Sequence, residues 1–255
     1  MTVVGAPSIW LRPERGSRGP TPRLTRPAVA AVAIGLADAD GLAAVTMRSV
    51  ASALGTAPAS LYRVIESRDE LLELMADRVI GEFTYGRKLS CSGPEGLLSL
   101  ARQACFVYRR HSWMLNVSTA GSALGPNAVE YLEHALSTLG DLPISSQEKL
   151  EAIGILSGLV KLLVTNESEQ RRAGRLPSEW QAATDMCLAE RATDGRHPNL
   201  ADVLDRTLFS SPSTEDTQFD RVIRRVLVGL LGPGTNQKVC DRRFPLVAAR
   251  SHILP

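Results

Sequence analysis

The chain has 255 residues, a net charge of +2 at pH 7 and 44% hydrophobic residues. This length is typical of one or two domains, and the hydrophobic content is sufficient for a sizeable core. A net charge this close to zero gives no argument for nucleic acid binding by itself. The sequence has no apolar run of about 18 residues and no signal-peptide core, so we predict no membrane span and expect a cytoplasmic protein.

The cysteines lie far apart in the sequence and form no C-x-x-C pair. We expect them to remain reduced thiols, because this scatter is typical neither of a disulfide framework nor of a redox or metal site. The histidines do not cluster with them, so we predict no metal site and no cofactor. The cysteines are Cys91, Cys105, Cys187 and Cys240.

Proline, glycine and arginine dominate residues 1–23, and we predict that this segment is largely disordered. Two interpretations of its charge stay open. The segment is either a solvated tail without a role or a basic arm that follows a DNA backbone or enters the minor groove. The basic residues in and beside it are Arg12, Arg15, Arg18, Arg23 and Arg26.

The first predicted helix runs from about residue 26 to residue 39, where small and branched apolar residues recur at helical spacing. Thr25 is its predicted N-cap and Pro27 its first helical residue. Asp40 and Gly41 end it, because glycine tolerates the backbone conformation that closes a helix.

Residues 46–72 then carry the pattern of two short helices joined by a glycine turn. Thr46 is a predicted N-cap, Gly55 follows the first helix and Pro58 starts the second, with about seven residues expected in each helix. Such a helix-turn-helix can place its second helix in the major groove of DNA. The same pattern also occurs in many helical proteins that do not bind DNA.

A longer helix is predicted from Arg68 to about Tyr85. Ser67 is its expected N-cap, and Glu70 completes a capping box. Two interpretations of Arg68 stay open. It is either a surface charge paired with Glu66 or Glu70, or a contact to a DNA phosphate at the positive end of the helix.

This stretch resembles the DNA-binding domain of the tetracycline-repressor (TetR) family of bacterial transcriptional regulators. The resemblance covers about 50 residues, from the amphipathic helix before Gly41 to Leu72. One residue departs from the family pattern, because Val64 stands where a histidine usually follows the L-Y-x motif, which removes one expected DNA contact. The matching motifs are Asp40-Gly41, Thr46 and Arg48, Ala51 with Leu54-Gly55, Leu61-Tyr62, and Arg68 with Leu71-Leu72.

The resemblance implies an all-α protein with two domains. A three-helix, helix-turn-helix DNA-binding domain is expected at 24–72, after the basic arm at 1–23. A larger helical domain for ligand binding and dimerisation is expected at 73–232, followed by a tail at 233–255.

The resemblance also implies which side chains contact DNA. Small and apolar side chains at base edges predict readout through contacts such as thymine methyl groups, and the remaining contacts serve phosphates. The residues expected at base edges are Ala57, Pro58, Ala59 and Ser60. Those expected at phosphates are Thr46, Arg48, Tyr62, Arg63 and Arg68.

The second half of the chain has helical periodicity throughout and no strand-like alternation. The segment 193–214 is polar, and we predict that it forms a mobile loop. The predicted helices cover about 97–110, 112–120, 126–139, 146–171 and 216–231. Ser145 and Glu148 form a predicted capping box at the start of the helix at 146–171.

Two segments of this half, 109–115 and 124–133, resemble C-terminal domains of actinobacterial TetR-like regulators, which enclose a small-molecule pocket. Each residue predicted to line the pocket is alternatively a packing residue, because aromatic residues and methionines at helical spacing commonly form cores. The predicted lining consists of Tyr108, His111, Trp113, Met114, Asn116, Leu124, Asn127, Tyr131, Leu159 and Leu162.

The helix at 146–171 is apolar nearly all the way round, so we predict that it is buried on several sides. The resemblance implies that this helix and the last one form a four-helix bundle with a second copy, with Gly154 and Gly158 permitting close contact. The alternative is an internal core. Lys161, the one charge in this run, either extends to solvent, pairs with Glu130 or Glu133, or meets an anionic ligand.

The sequence therefore predicts a ligand-responsive transcriptional regulator. We expect a repressor that binds a palindromic double-stranded DNA operator as a homodimer and is released by a small-molecule effector. The alternative is a helical ligand-binding dimer without sequence-specific DNA binding. We do not expect an enzyme, because nucleophile-elbow, phosphate-loop and metal-ligand motifs are missing from the sequence.

Overall fold

We analysed a computed structural model of the chain, which describes residues 8–12, 24–84, 92–117, 124–172, 177–192, 196–199 and 215–232. These residues form helices and turns and contain no strand, so the all-α prediction is confirmed. None of the described helices is long and apolar enough to cross a membrane. The helices are α1 (Arg26–Asp40), α2 (Met47–Ala53), α3 (Pro58–Leu61), α4 (Arg68–Ile80), α5 (Pro94–Arg110), α6 (Pro126–Thr138), α7 (Ser146–Arg172), α8 (Pro177–Ala192) and α9 (Glu215–Leu231), with 3-10 turns at Leu42–Ala44 and Ser112–Asn116.

The predicted ends of α1 are confirmed. The Thr25 hydroxyl accepts a hydrogen bond from the Ala28 amide at 3.3 Å, which satisfies one of the free N–H groups at the helix start. Gly41 closes the helix with a φ of 81°, a conformation that favours glycine, and its amide donates to the Ala37 carbonyl. The helix face that carries Val29, Ala33 and Ala37 is buried between these ends.

The start of α2 is held by a reciprocal cap. The Thr46 hydroxyl accepts from the Ser49 amide at 3.0 Å, and the Ser49 hydroxyl oxygen accepts from the Thr46 amide at 2.9 Å. Gly55 follows with a φ of 64°. α3, by contrast, has only 4 residues rather than the predicted seven or so. Residues 62–64 form turns instead, and the amides of Val64 and Ile65 both donate to the Leu61 carbonyl, at 2.9 and 3.0 Å.

Ser67 caps α4 as predicted, since its hydroxyl accepts from the Glu70 amide at 3.1 Å. The second half of the predicted capping box is wrong, because the Glu70 carboxylate accepts from the Glu66 amide at 2.8 Å. α4 packs against α1 and shares one core with α1–α3. The expected domain boundary at residues 72 and 73 therefore falls inside a helix that shares the core of α1–α4, and we call these four helices the head.

Residues 8–12 differ from the expected disordered arm. The Ile9 side chain is completely buried in the core of the head. The Arg26 guanidinium donates to the carbonyls of Ile9 and Arg12, at 2.9 and 3.0 Å, and so holds the turn in place. Burial of one such aliphatic side chain contributes about 1.5–3 kcal/mol. The rest of the segment 1–23 lies outside the described residues, as does the predicted tail at 233–255.

α5 forms the centre of the second half, where it packs against α6, α7 and α9. α7 buries one face, with Ile153, Leu156 and Val160 at helical spacing. The other side of α7, where Ile155 and Leu162 are 49% and 55% exposed, is not covered within one chain, so burial of α7 on several sides stays a prediction. α8 was not expected from the sequence, and the predicted loop at 193–214 lies outside the described residues except for 196–199.

The core of the head also contains residues from the second half. Val107, Trp113, Met114 and Val117 pack into it from α5 and the 3-10 turn that follows. The head is therefore joined to the larger helical part by shared apolar packing as well as by polar contacts.

Candidate functional site

The surface of α2 and α3 presents the side chains that the sequence predicts at DNA. All of them are exposed except Ser60, which is half-buried. In the part of the chain that the structure describes, the side chains of Arg48, Tyr62 and Arg63 have no hydrogen-bond or ion-pair partner. Tyr62 is 50% exposed, and an exposed aromatic ring beside free guanidinium groups is well suited to nucleic acid.

The Arg68 side chain does not pair with Glu66 or Glu70, which was the first of its two interpretations. Its Nε donates to the Val45 carbonyl at 3.1 Å and its Nη2 donates to the Leu42 carbonyl at 3.2 Å. The guanidinium therefore ties the start of α4 to the segment before α2. Its side chain remains exposed, so the phosphate contact stays a prediction.

A polar cluster joins the head to the end of α5. The Asp38 carboxylate on α1 accepts from Trp113 Nε1 at 2.8 Å and lies 2.8 Å from His111 Nδ1. His111 is almost fully buried, and its Nε2 lies 3.3 Å from Glu82, just beyond α4. Two elements of the head thus hold one imidazole, so a movement of the α5 end must move the head or break these contacts.

A second contact joins α4 to α6. The buried Asp77 carboxylate accepts from the amide of Ala128 at 2.9 Å and from the side chain of Asn127 at 2.8 Å. It therefore caps the start of α6, where a negative charge is favourable. Gly125 is required beside it, because an added Cβ would lie 2.3 Å from Asp77 Oδ1 and 2.7 Å from Trp10 Cζ2.

A cavity of about 260 Å³ lies between α5, α7 and the 3-10 turn. This volume is slightly below the roughly 300–1,000 Å³ of most ligand pockets, so a larger molecule requires these elements to separate. Its lining mixes aliphatic, hydroxyl and charged groups. The lining residues are Tyr108, Arg109, Ser112, Leu115, Val164, Glu167, Ser168 and Arg171.

Charges in the cavity wall are largely paired. Arg109 contacts Glu167 and Asp216, each at 3.0 Å, and Arg171 also contacts Glu167. Although burial opposes it, hydrogen bonding to the two carboxylates raises the pKa of Arg109 above its ordinary value. Burial raises the pKa of Tyr108 to about 12, so the phenol is a neutral donor at physiological pH.

The predicted ligand-binding residues mostly lie elsewhere. Tyr108 is the one that lines this cavity. The side chains of His111, Trp113 and Asn127 are bonded to Asp38 or Asp77, and Met114 is buried against the head. Asn116, Leu124 and Leu162 are exposed, and Tyr131 and Leu159 pack into the core of the second half.

An exposed apolar strip runs along α7 beside α9. A Cβ added at Gly154 or Gly158 would meet no neighbouring element within 4 Å, and Ile155 and Leu162 lie on the same exposed side. Val228 on α9 is also partly exposed. Lys161 does not belong to this strip, because its Nζ donates to the Val117 carbonyl at 3.0 Å rather than to either predicted glutamate, and burial lowers its pKa.

Comparison with known proteins identifies the family. A family model described as bacterial regulatory proteins, tetR family, matches residues 30–75, and a model of the tetracyclin repressor-like C-terminal domain matches residues 94–232. An HTH-type transcriptional repressor of Streptomyces coeruleorubidus, DrrR1, is 34% identical over 228 residues, 87% of this chain and 83% of the relative. The chain belongs to the TetR family.

Further relatives agree with the family assignment. An HTH-type transcriptional regulator of Saccharopolyspora erythraea is 30% identical over 203 residues, 78% of this chain and 83% of the relative. The crystal structure of ActR from Streptomyces coelicolor in complex with actinorhodin has a TM-score of 0.66 at 24% identity and covers 84% of this chain and 99% of ActR. Its identity is low, so it supports the TetR fold alone.

The TetR motifs are recognisable from the sequence, but several residues of the site are not. Val64, the departure from the family pattern, packs against the core of the head. Val164, Glu167, Ser168 and Arg171 recur at i, i+3, i+4 and i+7 on α7, a periodicity that was sufficient to place them on one face. Asp38 and Asp77 carry no sequence signal of their own, because their partners lie far along the chain.

Proposed function

We propose that this TetR-family chain is a transcriptional repressor that binds a palindromic operator as a homodimer and is released by a small molecule. The observation that carries the proposal is the set of unpaired Arg48, Tyr62 and Arg63 side chains on the exposed surface of α2 and α3. A rigid helical head that presents free cationic and phenolic groups fits a DNA backbone. Such a regulator works where the DNA is, which in bacteria is the cytoplasm.

The exposed apolar strip of α7 and α9 supports the homodimer. Exposed glycines allow two helices to approach closely, and Ile155 and Leu162 would bury apolar area against a second copy. Two-fold symmetry would set two heads on successive turns of one DNA face, about 34 Å apart. This pairing lets a short recognition helix read a longer, palindromic site.

The position of the cavity supports control by a ligand. Tyr108 and Ser112 in its wall flank His111, which contacts Asp38 of α1 and Glu82 beyond α4. A ligand that separates α5 from α7 would displace the imidazole and rotate the head. Ligand and operator would then weaken each other by the same factor, as linkage requires. ActR, which adopts the same fold, was crystallised with actinorhodin, and we propose a small organic effector here too.

The experiment that tests this function is fluorescence anisotropy with duplexes recovered from a random DNA pool, measured at several salt concentrations. We expect tight binding to the recovered sequence, weak binding to a scrambled duplex, and an affinity that falls steeply with salt. Equal binding to both duplexes would contradict the repressor function. It would favour the alternative of a ligand-binding dimer without operator recognition, which the TetR relatives do not support.

A further inference from the structure

The segment 8–12 connects the two ends of α4 along the surface of the head. At one end Arg12 pairs with Glu66 and Glu70, beside the start of α4. At the other end Trp10 lies against Gly125, the N-cap of α6, which also adjoins Asp77 near the end of α4. The buried Ile9, next to Trp10, anchors the segment in the core of the head. We call residues 8–12 the strap.

The strap packs tightly against the start of α6 at Gly125. Gly125 lies between Trp10 and Asp77, so the indole completes the wall around the carboxylate that caps α6. The Arg26 guanidinium fixes the strap backbone at Ile9 and Arg12. The strap therefore touches α1, α4 and the loop before α6 and resists changes in the angle between α4 and α6.

We propose that Trp10 and Arg12 are positioning residues that set the angle of the head and thereby the spacing of operator half-sites that the dimer accepts. They act through α4 and not by touching DNA. This inference rests on the proposed function, because it needs a dimer that reads a two-part operator.

The charges at Arg12 argue against a direct phosphate contact. Its guanidinium faces two carboxylates, Glu66 and Glu70, and its side chain is only 17% exposed. A phosphate contact would have to displace these partners, whereas Arg48 and Arg63 are free in the described part of the chain. The salt dependence of DNA affinity can therefore distinguish a positioning role of Arg12 from a direct phosphate contact. Each phosphate contact adds about 0.9 to the slope of log affinity against log salt.

The test uses the full-length protein and a panel of duplexes that carry the selected half-sites with the spacer lengthened or shortened by one or two base pairs. The variants are Trp10→Ala, Trp10→Phe and Arg12→Gln, with Leu11→Ala as matched control because Leu11 is 80% exposed in the same strap. Circular dichroism and urea unfolding establish that each variant is folded. If Trp10→Ala does not fold, Arg12→Gln decides.

We expect Trp10→Ala and Arg12→Gln to bind the best spacer about tenfold more weakly and to lose most of their preference among spacers, with an unchanged salt slope. Trp10→Phe and Leu11→Ala should keep the wild-type preference. An unaltered spacer preference in Arg12→Gln, or an equal loss for all spacers with a slope reduced by about 1.8, from one phosphate contact in each subunit of the dimer, would overturn the proposal. A wild-type protein without any operator preference would instead refute the repressor function, and the strap inference with it.

Discussion

Asp38 on α1 and His111 at the end of α5 are joined by a 2.8 Å contact between carboxylate and imidazole, although 73 positions separate them in the chain. Trp113 donates to the same carboxylate oxygen at 2.8 Å. One carboxylate of the DNA-binding head thus has both of its partners at the end of α5 and in the 3-10 turn that follows it. The fold places this link next to the cavity, where a bound molecule can disturb it.

Removal of the Asp38 carboxylate should destabilise the protein. Asp38→Ala leaves the buried Trp113 indole N–H without an acceptor, and an unsatisfied buried donor costs about 1–3 kcal/mol. We expect a decrease of that size in the free energy of unfolding in urea. Asp40→Ala is the matched control, because Asp40 is exposed on the same helix. Equal stability of the two variants would show that the Asp38 link contributes nothing.

Two glycines should respond in opposite directions to replacement by alanine. Gly125→Ala places a Cβ 2.3 Å from Asp77 Oδ1, so α6 must shift and the protein should lose about 1–3 kcal/mol. Gly35 lies in the exposed middle of α1, where an added Cβ would meet no neighbouring element within 4 Å. Gly35→Ala should therefore raise the free energy of unfolding by about 0.5–1 kcal/mol. Thermal unfolding of both variants checks the pair, and stabilisation by Gly125→Ala would contradict the packing at the junction.

The unpaired arginine of α2 should contribute to the salt dependence of DNA binding. Arg48→Ala removes one predicted phosphate contact per subunit, so the slope of log affinity against log salt should fall by about 1.8 for a dimer. Anisotropy titration at several salt concentrations measures this slope. Arg191→Ala on α8 is the control, because its side chain is exposed and far from the head in sequence. An unchanged slope in Arg48→Ala would remove this residue from the interface.

The apolar strip of α7 should hold two copies together. Ile155→Glu introduces charge at its centre, and a buried unpaired carboxylate is strongly unfavourable. We expect this variant to sediment as a monomer and to bind the operator at least tenfold more weakly. Val129→Glu, at a residue of similar exposure on α6, should remain dimeric. A dimeric Ile155→Glu would show that another surface forms the interface.

Burial should protect one cysteine from alkylation. It raises the pKa of the Cys105 thiol to about 11, so the reactive thiolate is scarce at pH 8. Mass spectrometry after iodoacetamide treatment should find Cys105 unmodified and the exposed Cys187 labelled. Because the folded pKa lies above the ordinary value, this thiol favours folding below about pH 9, and that contribution is lost as the pH rises towards 11.

The sequence predicted the head well because its signals are local. The ends of its helices depend on residues that act on backbone groups a few positions away, such as Thr25, Gly41, Thr46 and Gly55. Helical periodicity and the TetR motifs indicated the helices between these ends. The four-residue length of α3 was missed because residues 62–64 form turns although the apolar pattern continues to Ile65.

The sequence could not predict contacts made across the fold. Arg12 appeared as a charge in a disordered arm, yet it pairs with Glu70, 58 positions later. His111 and Asn127 were plausible ligand contacts by type, but their side chains are bonded to Asp38 and Asp77. Such partners depend on how helices pack, which short-range periodicity does not encode.

Selection of binding sites from a random duplex pool, followed by sequencing, tests the central claim most directly. If the chain is a dimeric repressor, the recovered sequences will share a palindrome whose half-sites are centred about one helical turn, ~34 Å, apart. The same palindrome should bind two chains in sedimentation experiments. A recovered pool without a common motif, or with an unrepeated half-site bound by one chain, would contradict the account.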